Sequence, residues 1–228
     1  MKKITNRAVP EIRAVLFDMD GLLIDSERLC QRALAEACGE LGYAIEEGFG
    51  LQMLGLKPPE ILRLFREAVP GFDARAYQEH SRRRMLELFR TELRAKPGVA
   101  LLLDWLDEKG IPYVLASSSE NDRVAFSLQC VGLSERFQKR VTGECSLPSK
   151  PAPDFFLAAA KMVETDPVHC LVLEDSANGV KAGRAAGAVV CMIPDLIPYS
   201  EQVAYACDFV GESLAEIPAL IEEIASGK

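Results

Sequence analysis

Three short clusters and one lysine carry the side chains that could do chemistry. The clusters are Asp18-Met19-Asp20-Gly21, Ser117-Ser118-Ser119 and Glu174-Asp175-Ser176. Lys150 stands between the last two, in Ser149-Lys150-Pro151-Ala152-Pro153. Each cluster directly follows an apolar run: Ala14-Val15-Leu16-Phe17, Tyr113-Val114-Leu115-Ala116 and Cys170-Leu171-Val172-Leu173. If those runs are parallel strands, the clusters share one rim, because open parallel sheets bind ligands beyond the carboxyl ends of their strands. Carboxylates crowded on one rim must either hold protons or surround a cation. An all-oxygen set suits Mg²⁺, which takes a few carboxylates and keeps several waters. A lysine with N–H and O–H donors beside it suits a phosphoryl group. Metal, phosphate donors and a spare carboxylate together point to phosphoryl transfer.

The elements that must position these groups follow from periodicity and punctuation. Short apolar runs predict further strands at 139–142, 188–193 and 208–210. Helical spacing covers 26–41, 58–69, 73–93, 99–108, 121–130, 153–163 and 181–186, with Ser26 and Ser117 as candidate N-caps. Strands alternating with helices predict an α/β fold, a Rossmann-like doubly wound parallel sheet covered on both faces. The stretch 27–96 has no strand pattern and reads as an inserted all-α unit. The expected organisation is a catalytic core of 1–26 plus 97–228 with a helical cap at 27–96.

Composition narrows the function classes. A chain of 228 residues makes one full domain, or one domain carrying a smaller insert. A net charge of −8 repels nucleic acid and anionic membranes. The longest unbroken apolar runs, 155–160 and 188–193, are six residues, against the ~20 a spanning helix needs. Lys2 and Lys3 are not followed by an apolar signal core. The seven cysteines form no Cys-x-x-Cys pair, which argues against a disulfide framework or a structural zinc site. The expectation is a cytoplasmic protein with no nucleic acid or membrane partner.

In these motifs the chain resembles the haloacid dehalogenase superfamily, in its phosphatase and β-phosphoglucomutase-like branch with a helical cap. The resemblance covers nearly the whole chain: Asp18-Met19-Asp20-Gly21 continued by Leu22-Leu23-Ile24-Asp25-Ser26-Glu27, then Ser117, then Lys150-Pro151-Ala152-Pro153-Asp154, then Glu174-Asp175. An Asp-x-Asp-Gly run alone arises in roughly 5% of chains this long at average composition; four motifs in order do not arise so easily.

The resemblance implies that Asp18 is the nucleophile and forms an aspartyl phosphate. Mg²⁺ would be held by the Asp18 and Asp175 side chains and the Asp20 carbonyl, with Glu174 reaching it through water. The Asp20 carboxyl would protonate the leaving oxygen and then activate water. Ser117, Lys150 and the backbone N–H groups of Met19 and Ser118 would hold the phosphoryl oxygens. An intact Asp18-x-Asp20 favours phosphoryl over dehalogenase chemistry. The resemblance adds a small phosphorylated metabolite as partner and implies no obligate protein partner. Lys57 stands where cap loops of this branch reach the substrate, and hinges are expected near Ser26-Glu27 and Lys96-Pro97-Gly98.

A β-phosphoglucomutase is the nearest rival. Its histidine twelve positions after the nucleophile is Cys30 here, and its cap-loop arginine is Pro58. A non-catalytic binding module on the same fold is a further alternative, opposed by the intact Asp18, Asp20, Lys150 and Asp175. His80, His169 and Arg82-Arg83-Arg84 read as structural or solvated residues.

Overall fold

Strand ends set the position of most of the chemically promising residues, so the sheet comes first. The computed structural model describes residues 1–46, 48–53 and 58–227. Its elements in chain order are β1 (Lys2–Lys3), β2 (Ala14–Phe17), α1 (Ser26–Glu40), a 3₁₀ turn at Phe49–Met53, α2 (Pro58–Ala68), α3 (Ala74–Glu92), α4 (Val99–Lys109) and β3 (Tyr113–Ala116). They continue with α5 (Asn121–Cys130), β4 (Arg140–Val141), α6 (Asp154–Met162), β5 (Cys170–Glu174), α7 (Ala177–Ala185), β6 (Val189–Met192), β7 (Phe209–Val210) and α8 (Ile217–Ser226).

The strands form one sheet in the order β1-β7-β6-β5-β2-β3-β4. All neighbours are parallel except β1, which runs antiparallel to β7. The central strands are buried and apolar along their length, as a sheet covered on both faces demands. Phe17 lies opposite both Leu115 and Leu173. This level register brings Asp18, Ser117 and Glu174 out at one edge.

Three elements of the chain differ from the sequence reading. Helix α7 starts at Ala177 rather than 181: Ser176 caps it, accepting a hydrogen bond from the Gly179 N–H at 3.1 Å. Asn178 and Gly179 are poor helix formers and hide this start. Strand β1 and helix α8 were not anticipated; β1 is two exposed lysines whose only strand signal is their partner β7.

The chain forms two compact units, one of Met1–Asp25 with Arg94–Lys228 and one of Ser26–Leu93. The first is built around the sheet, with Phe17, Tyr113 and Phe137 meeting edge to face at 5.5–6.1 Å. Within it, the segments on either side of residues 26–93 run side by side: Asp25 N–H donates to Arg94 O and Lys96 N–H to Leu23 O. The second unit is helical among its described residues. Phe65 fills its core, stacked on Phe72 at 4.8 Å and packed against Phe49 and Tyr77. Burying one such phenylalanine contributes about 1.5–3 kcal/mol. Among the described residues, no helix is long and apolar enough to cross a membrane.

Candidate active site

Asp18 is the first residue beyond β2, and its N–H donates to Leu173 O at 3.1 Å, still in ladder register. The chain then turns sharply: Leu23 and Ile24 N–H groups both donate to the Met19 carbonyl, while the Met19 side chain is fully buried. Gly21 sits in this turn at φ +82°, where a Cβ would also run into the Asp175 carboxylate. Only glycine satisfies both conditions.

Glu174 is the last residue of β5 and is buried. Its Oε2 accepts from the Ser176 N–H and hydroxyl, both at 2.9 Å. Its carboxylate occupies the space a side chain at Gly179 would need, which explains a glycine inside the first turn of α7. Lys150 reaches in from its loop. Its ammonium donates to Asp18 Oδ1 at 2.5 Å and to Glu174 Oε1 at 2.7 Å, and lies 4.7 Å from the Phe156 ring centre. Carboxylate oxygens of Asp18, Glu174 and Asp175 all lie within 4.8 Å of one another.

The electrostatics of this cluster are set by burial and by an excess of carboxylates over cations. Burial pushes the Asp18 carboxyl up to about 7; Lys150 opposes the shift and Glu174 and Asp20 add to it. Burial works against the charge of Lys150, but Asp18 and Glu174 together outweigh it and hold the ammonium above its ordinary value. One ammonium shared by two carboxylates leaves the Asp18 carboxyl raised. A divalent cation among the three carboxylates would lower it, and the all-oxygen donor set fits such an ion.

The other residues singled out from sequence fall as follows. Ser117 is buried at the end of β3, and its hydroxyl accepts from the Ser119 N–H at 3.1 Å. It is not a helix cap, because α5 begins four residues later with Glu120 at its N-cap. Ser118 is exposed on the same rim. Helix α1 likewise includes Ser26 as its first residue rather than starting after it. Lys57 lies outside the described residues. His80 and Arg83 bind Glu40, Arg84 binds Glu36, and the His169 ring meets the Glu11 carbonyl, so these side chains serve local structure.

Arg123, and the pairing of Ser119 with Asp20, escaped the sequence reading. The Asp20 carboxylate accepts from the Ser119 hydroxyl and from the Arg123 guanidinium, each at 2.9 Å. A faint signal for Arg123 was present: it stands in the first turn of α5, where the helix dipole disfavours a cation.

The chain matches the model of the haloacid dehalogenase-like hydrolase family over residues 12–187. It is 33% identical over 223 residues to a probable pseudouridine-5'-phosphatase of Drosophila melanogaster, covering 93% of this chain and 94% of that one. It is 31% identical to hexitol phosphatase B of Escherichia coli, over 92% and 96% of the two chains. A solved β-phosphoglucomutase from Clostridium difficile superposes with a TM-score of 0.74 at 21% identity, over 95% and 98%, which speaks to fold alone. With this fold and this rim of strand-end carboxylates, the chain belongs to the haloacid dehalogenase-like hydrolases and is a phosphoric monoester hydrolase of that superfamily.

Proposed function

We propose that the protein is a Mg²⁺-dependent phosphatase that hydrolyses a small phosphorylated metabolite (a sugar, polyol or nucleoside monophosphate) through an aspartyl phosphate on Asp18. The observation that carries this reading is the packing of Asp18, Glu174 and Asp175 around one point, with Lys150 bonded to the first two. The relatives named for pseudouridine 5'-phosphate and hexitol phosphates support the substrate class.

The ion would be held by the Asp18 and Asp175 carboxylates and the Asp20 carbonyl, with Glu174 acting through water. It supplies positive charge that keeps Asp18 anionic and offsets repulsion between that carboxylate and the phosphate dianion. Lys150, Ser117 and the Met19 and Ser118 N–H groups bind the phosphoryl oxygens and point phosphorus at Asp18. The Asp18 carboxylate attacks, the ester P–O bond breaks, and the leaving oxygen takes the proton of Asp20. The Asp20 carboxylate then takes a proton from water, whose oxygen attacks phosphorus and frees Asp18. Ser119 and Arg123 hold Asp20 in place for both transfers.

The helical stretch 27–96 serves as a cap that excludes bulk water and selects the substrate, with Lys57 as one contact. The seven cysteines are free thiols, in keeping with a reducing cytoplasmic setting.

Purified enzyme and a panel of phosphorylated metabolites, with release of inorganic phosphate as the readout, test the reading. Phosphate release with Mg²⁺ and its loss after EDTA support it. Full activity after exhaustive chelation refutes the metal requirement. Isomerisation of a sugar phosphate, activated by glucose 1,6-bisphosphate, would assign the chain to the mutases instead.

A further inference from the structure

Beyond β6, the strand next to β5, the chain continues as Ile193-Pro194-Asp195. The Asp195 side chain is only 3% exposed. Its Oδ1 accepts from the Lys96 ammonium at 2.5 Å, but its Oδ2 is buried with no hydrogen-bond partner. A buried carboxylate oxygen left so carries its full desolvation penalty, and a purely structural ion pair gives no reason to keep it. Its direction supplies one. Asp195 Oδ2 lies 3.5 Å from the point where a Gly21 side chain would start, and the Asp175 carboxylate crowds that same point. The absent side chain at Gly21 therefore makes room for the Asp175 carboxylate, and Asp195 Oδ2 faces that same place. Asp195 is not one of the three carboxylates that lie close enough to share one ion, which leaves it a place outside the inner ligands.

We propose that Asp195 is an outer-sphere ligand of the metal site: its Oδ2 accepts a hydrogen bond from the hydration shell of the cation that Asp18 and Asp175 hold, and Lys96 fixes the carboxylate for that task. The proposal rests on the metal site assigned above. Outer-shell partners of this kind orient the inner ligands and typically alter metal affinity by ~10–100-fold when removed. Lys96 leads out of the segment paired with Leu23, so the same contact ties that segment to the β6 loop.

The test is calorimetric titration of metal-stripped full-length protein with MgCl₂ alone, with melting curves recorded with and without the ion. In Asp195→Asn the amide oxygen can keep the Lys96 bond, while the NH₂ group presents a donor where an acceptor is needed. Its Mg²⁺ affinity is expected to fall ~10–100-fold. Lys96→Met leaves the carboxylate without its counter-charge. Its metal-free form should melt earlier than wild type, and the rise in melting temperature on adding Mg²⁺ should be larger than in wild type.

An Asp195→Asn affinity within twofold of wild type overturns the proposal. So does a Mg²⁺-induced shift in Lys96→Met no larger than that of wild type, and this second result decides the matter if Asp195→Asn does not fold. Asp175→Asn separates the two readings. If wild type binds Mg²⁺ and Asp175→Asn does not, failure of the Asp195 variant counts against Asp195 alone. If wild type binds no Mg²⁺, or Asp175→Asn binds as wild type does, the metal site itself is wrong and the proposal falls with it.

Discussion

Two buried carboxylates in the sheet-built unit, Asp18 and Asp208, have opposite surroundings. Asp208 lies just before β7 and is surrounded by donors: Arg7 through Nε at 2.7 Å and Nη2 at 2.8 Å, Arg184 at 3.0 Å, and the Val190 N–H at 2.9 Å. Burial opposes its charge, but these donors outweigh burial and hold its carboxyl below the usual range. Asp18 shares a single lysine with Glu174 and has further carboxylates beside it, and burial raises it to about 7. Two guanidiniums for one carboxylate make a closed structural knot. One ammonium for two carboxylates leaves a deficit of positive charge, which a cation held by the carboxylates would offset. Burial alone distinguishes nothing here; the ratio of donors to charges does.

The comparison can be broken by exchanging each aspartate for its neutral isostere. Asp18→Asn should abolish turnover of every substrate, since the nucleophile is gone. Its metal-free form at pH 8 should be at least as stable as wild type, because a carboxyl whose folded value is raised destabilises the fold once it ionises. Melting curves beside phosphate-release assays check both. Asp20→Asn should slow hydrolysis of an alkyl phosphate by ~10²–10⁴-fold, the usual worth of general acid–base help, in steady-state kinetics.

Asp208→Asn should do the reverse of Asp18→Asn. It should leave activity per folded molecule intact and cost about 3 kcal/mol in urea unfolding, at the low end for breaking a buried pair because Arg7 is partly exposed. The pH profiles sharpen the contrast. The lowered carboxyl of Asp208 gives stability that is present above the unfolded value near ~4 and lost as pH falls through the folded one. The raised carboxyl of Asp18 works the other way, its cost growing as pH rises from ~4 towards about 7. Below that value Asp18 must give up a proton to bind metal, so Mg²⁺ affinity should fall by up to ~10-fold per pH unit below 7, measurable by titration at pH 6 and pH 8.

The sequence showed what is local. Strand β3 and helix α5 have the bounds their residue patterns predict, and every cluster at a strand end lies on one rim. Contacts formed across the chain left no pattern to read. Arg7 and Asp208 are 201 residues apart, Lys96 and Asp195 are 99, and Arg123 and Asp20 are 103. Asp20 stands out in its motif, but nothing in the neighbourhood of any of these residues names its partner. Gly179 shows the intermediate case. It reads as a helix breaker in sequence and weakened the helix reading there, whereas in the fold it is the space that lets Glu174 enter.

The most direct test of the central claim is to trap the phosphoryl group. Asp20→Asn is mixed with an aryl phosphate and Mg²⁺, quenched in acid and digested, and its peptides are weighed. A good leaving group needs little protonation, while the second step still lacks its base, so the covalent intermediate should build up. The account predicts a phosphoryl group on the peptide carrying Asp18, absent with EDTA and absent when Asp18 is also replaced by asparagine. A phosphoryl group on any other residue, or one that persists in the Asp18→Asn background, would contradict it.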